Sequence, residues 1–222
     1  MPTTDLISPF VVSCAGGLTL NKDVFSMAPG EALILQNFEP DIKGGYRRVG
    51  GTALYNTTIV PEGSTHTGKT IDCSIVFNGQ IIVARGGDIH RGTTSGSWTS
   101  LTTSLGTATR AYDFEKFNFD GTDKIIIATG HSPAQIINAS FAVDVVNATG
   151  GGTAPTNPKF VKVFQNHMFY AGATNSQEVI FSVPFAEDNF TTGSGAGSFK
   201  VDSAVVGLKV FRNELIIFCE DR

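Results

Sequence analysis

Residues 63–70, running from Gly63 through Gly68 and Lys69 to Thr70, satisfy the pattern G-x-x-x-x-G-K-[ST]. In that pattern backbone amides cradle phosphates, the lysine reaches the β and γ oxygens, and the hydroxyl holds Mg²⁺. The chemistry needs a helix that starts at the lysine, because its free N-terminal amides and its dipole hold the anion. Here the lysine is followed by Ile71, Asp72, Cys73, Ser74, Ile75, Val76 and Phe77, a β-branched alternating run that ends in the turn pair Asn78-Gly79. Pro61 interrupts the approach, and no α/β alternation elsewhere builds the sheet on which such a site sits. The segment is expected to be a Gly/Ser/Thr-rich loop leading into a strand.

The other reactive side chains are dispersed. His66, His90, His131 and His167 lack the short spacings of metal ligands and read as loop and hairpin histidines, so no metal is expected. Asp113 and Glu115 would share one face of a strand, but nothing around them in sequence marks a desolvated pair, and a solvated loop is expected. Cys14, Cys73 and Cys219 are odd in number and widely spaced, which implies neither a disulfide framework nor a zinc site. The Asn-x-Ser/Thr triplets at Asn56, Asn138, Asn147 and Asn189 follow no secretory signal and carry no weight as glycosylation sites. Thr93–Thr99, with Trp98, resembles the hairpin box of sialidase-type propellers without its Asp. That box is structural even in the enzymes. No catalytic residue and no cofactor is expected, and the chain reads as non-enzymatic.

Tyr46, Arg47 and Arg48, after Gly45, form the one basic and aromatic cluster, and they are the candidate contact for DNA or an acidic partner surface. They could equally be solvated in a Gly-rich turn or brace the N-terminal segment. The net charge is −4 and the pI near 5.5, so the overall field repels polyanions and any grip on phosphates must be local. No apolar run approaches the ~18 residues of a membrane span, and no basic region precedes the first apolar stretch, so an unexported chain without membrane insertion is expected.

What must position these groups is a series of strands. The chain has 222 residues, 41% apolar and only 16% charged, with 25 glycines, a mixture that suits short strands joined by tight turns. A hairpin recurs: Phe77-Asn78-Gly79, Phe119-Asp120-Gly121, Phe164-Gln165-Asn166 and Phe211-Arg212-Asn213, each followed by an apolar strand. Asn and Gly in these turns populate the positive φ of a tight hairpin. The four Phe residues are 42, 45 and 47 positions apart, within the ~40 to 50 residues of a propeller blade.

After each of the first three hairpins comes a short strand (residues 88–91, 134–138 and 178–182), then a segment opened by Trp98, Phe141 or Phe190. The expected fold is all-β, with β-propeller-like blades of four antiparallel strands over residues 61–222. About three and a half repeats fit, the last lacking its outer half, so a fragment or a blade completed by a neighbouring chain is expected. Residues 1–60 read as an extended N-terminal docking segment with a short helix near 30–37.

Gly16-Gly17-Leu18, the stretch from Pro29-Gly30 through Leu35 and Asn37 to Pro40, and Gly45-Tyr46-Arg47-Arg48-Val49-Gly50-Gly51 resemble the N-terminal pattern of bacteriophage tail nozzle, or tail tubular B, proteins of short-tailed phages. Glu178–Pro184, Asn189–Gly193 and Val206–Asp221 are similar to that family's propeller segments. The resemblance implies a virion tail protein made in the host cytoplasm. It implies a homo-oligomeric ring of six copies below the portal and adaptor, a channel for DNA ejection, and a platform for tail-fibre proteins. Nozzle proteins are considerably longer than this chain. The alternatives are a carbohydrate-binding or glycan-processing propeller and, through the 63–70 motif, a nucleotide enzyme. Ring assembly, sugar-dependent stabilisation and Mg-ATP stabilisation distinguish the three.

Overall fold

The structure, a computed structural model, describes residues 16–40, 46–51, 53–63, 71–93, 96–103, 105 and 112–220. The Gly68-Lys69-Thr70 motif, His66 and Cys14 lie outside the described residues. The chain divides into two units, Met1–Leu54 and Tyr55–Arg222. Residues 55–60 fall with the second unit, whereas the sequence reading grouped them with the first.

The first unit is built from very short strands. β1 (Gly17–Leu18) pairs in parallel with β2 (Glu31–Ala32), and β3 (Phe38–Pro40) pairs antiparallel with β4 (Tyr46–Arg48). The helix expected near 30–37 does not form. Gly30 (φ 93°) and Asn37 (φ 61°) both take left-handed backbone that breaks helical continuity at each end. The Glu31 carboxylate instead holds the turn, accepting from the Ala28 N–H at 2.9 Å and pairing with Lys22 at 2.7 Å.

The second unit is a succession of antiparallel sheets. β5 (Cys73–Phe77), β6 (Gln80–Arg85), β7 (Asp88–Gly92) and β8 (Trp98–Thr102) form the first, in that order. β9 (Asp113–Phe117), β10 (Lys124–Ala128), β11 (Gln135–Ile137) and β12 (Val143–Val145) form the second. β13 (Phe160–Phe164), β14 (His167–Ala171), β15 (Glu178–Phe181) and β16 (Gly197–Lys200) form the third. β17 (Val205–Phe211) and β18 (Glu214–Cys219) form a hairpin that opens a fourth. The first strands of successive sheets lie side by side, β5 by β9, β9 by β13 and β13 by β17. Four-stranded meanders that meet along their first strands make this an all-β fold of β-propeller-like blades.

Local chemistry sets each hairpin. Asn78-Gly79 (φ 46° and 73°), Gln165-Asn166 (47° and 65°) and Arg212-Asn213 (49° and 62°) are two-residue turns with positive φ at both positions, the geometry whose twist matches the flanking strands. The second blade differs. Its register pairs Phe117 with Lys124, so a six-residue loop replaces the tight turn. Phe117, not Phe119, is therefore the counterpart of Phe77, Phe164 and Phe211, and the true spacings are 40, 47 and 47.

Alternation along the second strands builds the core between sheets. Ile82 and Ala84 point forward from β6 and meet Ile125 and Ile127 of β10. Ile126 and Ala128 point forward from β10 and meet Met168 and Tyr170 of β14. Ala171 and Phe169 of β14 meet Leu208 and Ile217 of the fourth sheet. Each fully buried Ile contributes roughly 1.5–3 kcal/mol relative to exposure. The outer strands β8, β12 and β16 are only partly covered.

Phe190 does not open an outer strand, because its ring is buried against Tyr170, 5.7 Å between centroids, and the fourth strand of the third blade comes later, at Gly197. No helix among the described residues is long and apolar enough to cross a membrane.

Candidate functional site

Tyr46, Arg47 and Arg48 form β4, opposite Pro40, Glu39 and Phe38 respectively. Alternation puts Arg47 directly across from Glu39, and its Nε donates to the Glu39 carboxylate at 2.7 Å. Half of the expected basic patch is thus internally compensated by an exposed pair of small energetic value. Arg48 is exposed, makes no ion pair among the described residues, and lines a shallow cleft with Asn37, Val49, Gly50 and Gly51. What remains for an anionic partner is one free guanidinium beside a half-buried tyrosine.

Asp113 and Glu115 are not in a solvated loop. They lie on β9 and point at β13, the first strand of the next blade. The Val161 N–H donates to Asp113 Oδ2 at 3.0 Å, and the Val163 N–H to Glu115 Oε1 at 3.3 Å. Lys162 Nζ sits 2.6 Å from Glu115 Oε2 and 3.6 Å from Asp113 Oδ1. One strand's carboxylates therefore satisfy the backbone donors of its neighbour where no ladder hydrogen bond runs between them.

Burial pushes the Asp113 carboxyl up from its ordinary range, although the Val161 amide and Lys162 oppose it. Burial alone would push Lys162 down, but the hydrogen bond to Glu115 and the charges of Asp113 and Glu115 outweigh it, and its pKa is raised. The pair could not be found from the sequence because its partner is 47 residues away. This arrangement is an inter-blade brace, in which one ammonium and two backbone amides of β13 hold two carboxylates of β9.

His90 falls on the strand expected over residues 88–91. It lies on β7, 4% exposed, across from Val83, and neither ring nitrogen has a hydrogen-bond partner. Burial lowers its pKa, so the imidazole is held neutral. His167 opens β14, where its Nδ1 meets the Ser182 carbonyl at 2.6 Å. Cys73 is half-buried, and burial raises its thiol pKa, whereas Cys219 is exposed and does not pack as a core residue. Among the described residues no group of His, Cys, Asp and Glu is arranged to hold a metal.

The largest concave feature among those described is a groove of about 880 Å³ over the first blade. Residues 55–63 form its strap. The Tyr55 hydroxyl reaches the Gly92 carbonyl at 3.2 Å, Asn56 Nδ2 donates to Thr93 O at 3.1 Å, and Trp98 Nε1 donates to Thr58 O at 2.9 Å. At the other end the buried Arg85 guanidinium donates to the Val60 carbonyl and pairs with Glu62. A Cβ on Gly63 would stand 2.0 Å from the Gly86 carbonyl oxygen, so only glycine lets the strap lie this close. Ser74, Ile81, Val83 and Ile71 line the groove, an apolar surface with few polar groups. The Trp98 box thus ties the strap to the blade.

No protein-family model matches the chain, and comparison with curated proteins found no match. Among solved structures, BBS1N in a complex with ARL6DN, from a crystal soaked with lead, is 14% identical with a TM-score of 0.44, covering 72% of this chain and 50% of that one. The mercury-soaked crystal of the same complex gives 12% identity and a TM-score of 0.42, covering 72% and 49%. PorZ, a surface component of the type-IX secretion system of Porphyromonas gingivalis, is 13% identical with a TM-score of 0.35, covering 64% and 17%. The chain spans about half the length of the BBS1N chains it matches.

Proposed function

We propose that the chain is a non-enzymatic structural component of a bacteriophage tail, a nozzle-like subunit of a six-copy ring around the path of ejected DNA. The observation that carries this reading is the make-up of the first unit. None of its apolar side chains is buried among the described residues, and Leu20, Phe25, Ile34 and Leu54 are largely exposed, Phe25 at 96%. A unit of two-stranded pairs gains its stability by covering such side chains on another surface. That suits a docking element in a many-chain assembly and is hard to reconcile with an independent monomer. The blades form the rigid body of the subunit and offer a platform for fibres. Arg48 and Tyr46 are the contact to the portal or adaptor side or to passing DNA. The acidic whole disfavours tight retention of a duplex.

The test is to localise the protein in particles of the phage that encodes it. Antibody labelling confined to the tail, with peptides of this chain in the particle's mass spectrum, supports the reading. Absence from purified particles overturns it.

A further inference from the structure

A separate cleft of about 560 Å³ lies away from the strap, in the third blade. It is bounded by the 152–156 link between β12 and β13, the 173–175 turn, the outer strands β15 and β16, and residues 190–192. Its walls are fastened to one another through the backbone. The Phe190 N–H donates to the Gly151 carbonyl at 2.8 Å, and the Thr174 N–H to the Thr156 carbonyl at 3.3 Å. A Cβ on Gly152 would run into the Phe190 carbonyl, so only glycine lets the link lie this close. At the turn, the Glu178 N–H donates to the Asn175 carbonyl at 3.1 Å, and Asn175 Nδ2 donates back to Glu178 Oε2 at 3.3 Å. The fold itself therefore shapes the cleft before any ligand arrives.

Two kinds of group line it. Ala154, Pro155, Ile180 and Phe190 supply an apolar surface. Beside them stand the hydroxyls of Thr153, Thr156, Thr174, Thr192 and Ser198, none with a side-chain hydrogen bond among the described residues. The Glu178 carboxylate has one oxygen engaged by Asn175 and the other without a partner in the chain. No lysine, arginine or histidine lines the cleft, and Lys200, across from Glu178 in the ladder, is exposed and outside the lining. A phosphate or a carboxylate would meet Glu178 with no cation to offset the repulsion, and a purely apolar ligand would strand the polar groups. A neutral polyol meets both demands, its C–H face on the apolar surface and its hydroxyls exchanging hydrogen bonds with the rim and with the carboxylate, a strong acceptor. We infer that this cleft binds a neutral sugar unit of a glycan, held by Glu178 and Asn175 with the surrounding threonine and serine hydroxyls. The volume falls within the ~300–1,000 Å³ of small-molecule sites. The inference stands apart from the ring reading, since every residue of the cleft belongs to one copy of the chain.

Saturation-transfer difference NMR on the full chain tests it. The probes are neutral hexoses, 6-deoxyhexoses and N-acetylhexosamines, as monomers and trisaccharides, with a sialic acid and a hexose phosphate as anionic counterparts. The expected result is transfer to at least one neutral sugar, with a Kd on the order of 1 mM, and none to the anionic ones. Glu178→Gln weakens binding by about tenfold or more, through the loss of hydrogen bonds to a charged acceptor. Thr156→Trp, at an exposed position, fills the mouth of the cleft and abolishes transfer, and both variants keep the wild-type melting temperature. Absence of transfer to every neutral sugar at about ten times that Kd overturns the inference, as does transfer unchanged in either variant or a preference for the anionic sugars. Sugar binding by a chain that forms no ring sustains this site and overturns the ring reading, and a ring that binds no sugar does the reverse.

Discussion

Phe77 and Phe211 stand at the same position of the first and last hairpin repeats, yet Phe77 is 1% exposed between two sheets while Phe211 is 55% exposed on an open one. Phe77 is a core anchor because the side chains of the next sheet, Ile125 and Ile127 among them, close over it. Phe77 also meets Phe141 edge-on, 5.8 Å between centroids.

The first prediction compares the two. Phe77→Ala removes a buried ring and leaves a cavity, costing about 3–5 kcal/mol, while Phe211→Ala stays within about 0.5 kcal/mol. Urea unfolding monitored by circular dichroism measures both. Equal losses would contradict the assignment of Phe211 to an open face.

Much of the fold was legible because the hairpin chemistry is local. Asn78-Gly79 and the Phe beside it announce a turn, a face and a period at once. The second repeat misled by two residues, since Asp120-Gly121 sits inside a longer loop and Phe119 lies nearer to it than Phe117. Features fixed by distant partners were not legible. Asp113 and Glu115 read as solvated until Lys162 and the β13 backbone stood beside them.

Lys162→Met is the second prediction. It leaves Asp113 and Glu115 partly buried and uncompensated, costing about 3 kcal/mol near neutral pH. The raised pKa of Lys162 means that its stabilising contribution is fully present below its unfolded value of about 10.4 and is lost as pH rises through the folded one. Wild type therefore loses stability on alkaline titration in a step that Lys162→Met lacks. Asp113, also raised, adds stability as it protonates on the acid side, opposite in sense to exposed Asp120 and Asp123, whose pKa values are lowered by their lysine partners. Thermal melts across the pH range read the alkaline step, and its persistence in Lys162→Met would refute the brace.

Gly63→Ala is the third prediction. With the Gly86 carbonyl so close to where the Cβ must go, the strap lifts, and Trp98 loses the Thr58 carbonyl that holds its Nε1. The tryptophan emission moves to longer wavelength while the blades keep their circular dichroism spectrum. An unchanged emission maximum would mean that the strap is held by contacts other than this close approach.

The most direct measurement of the central claim is electron microscopy of the purified full chain at increasing concentration, with class averages read for copy number and a central opening. The account predicts a closed ring of identical subunits around a channel. A population of single particles without rotational symmetry at every concentration would contradict it.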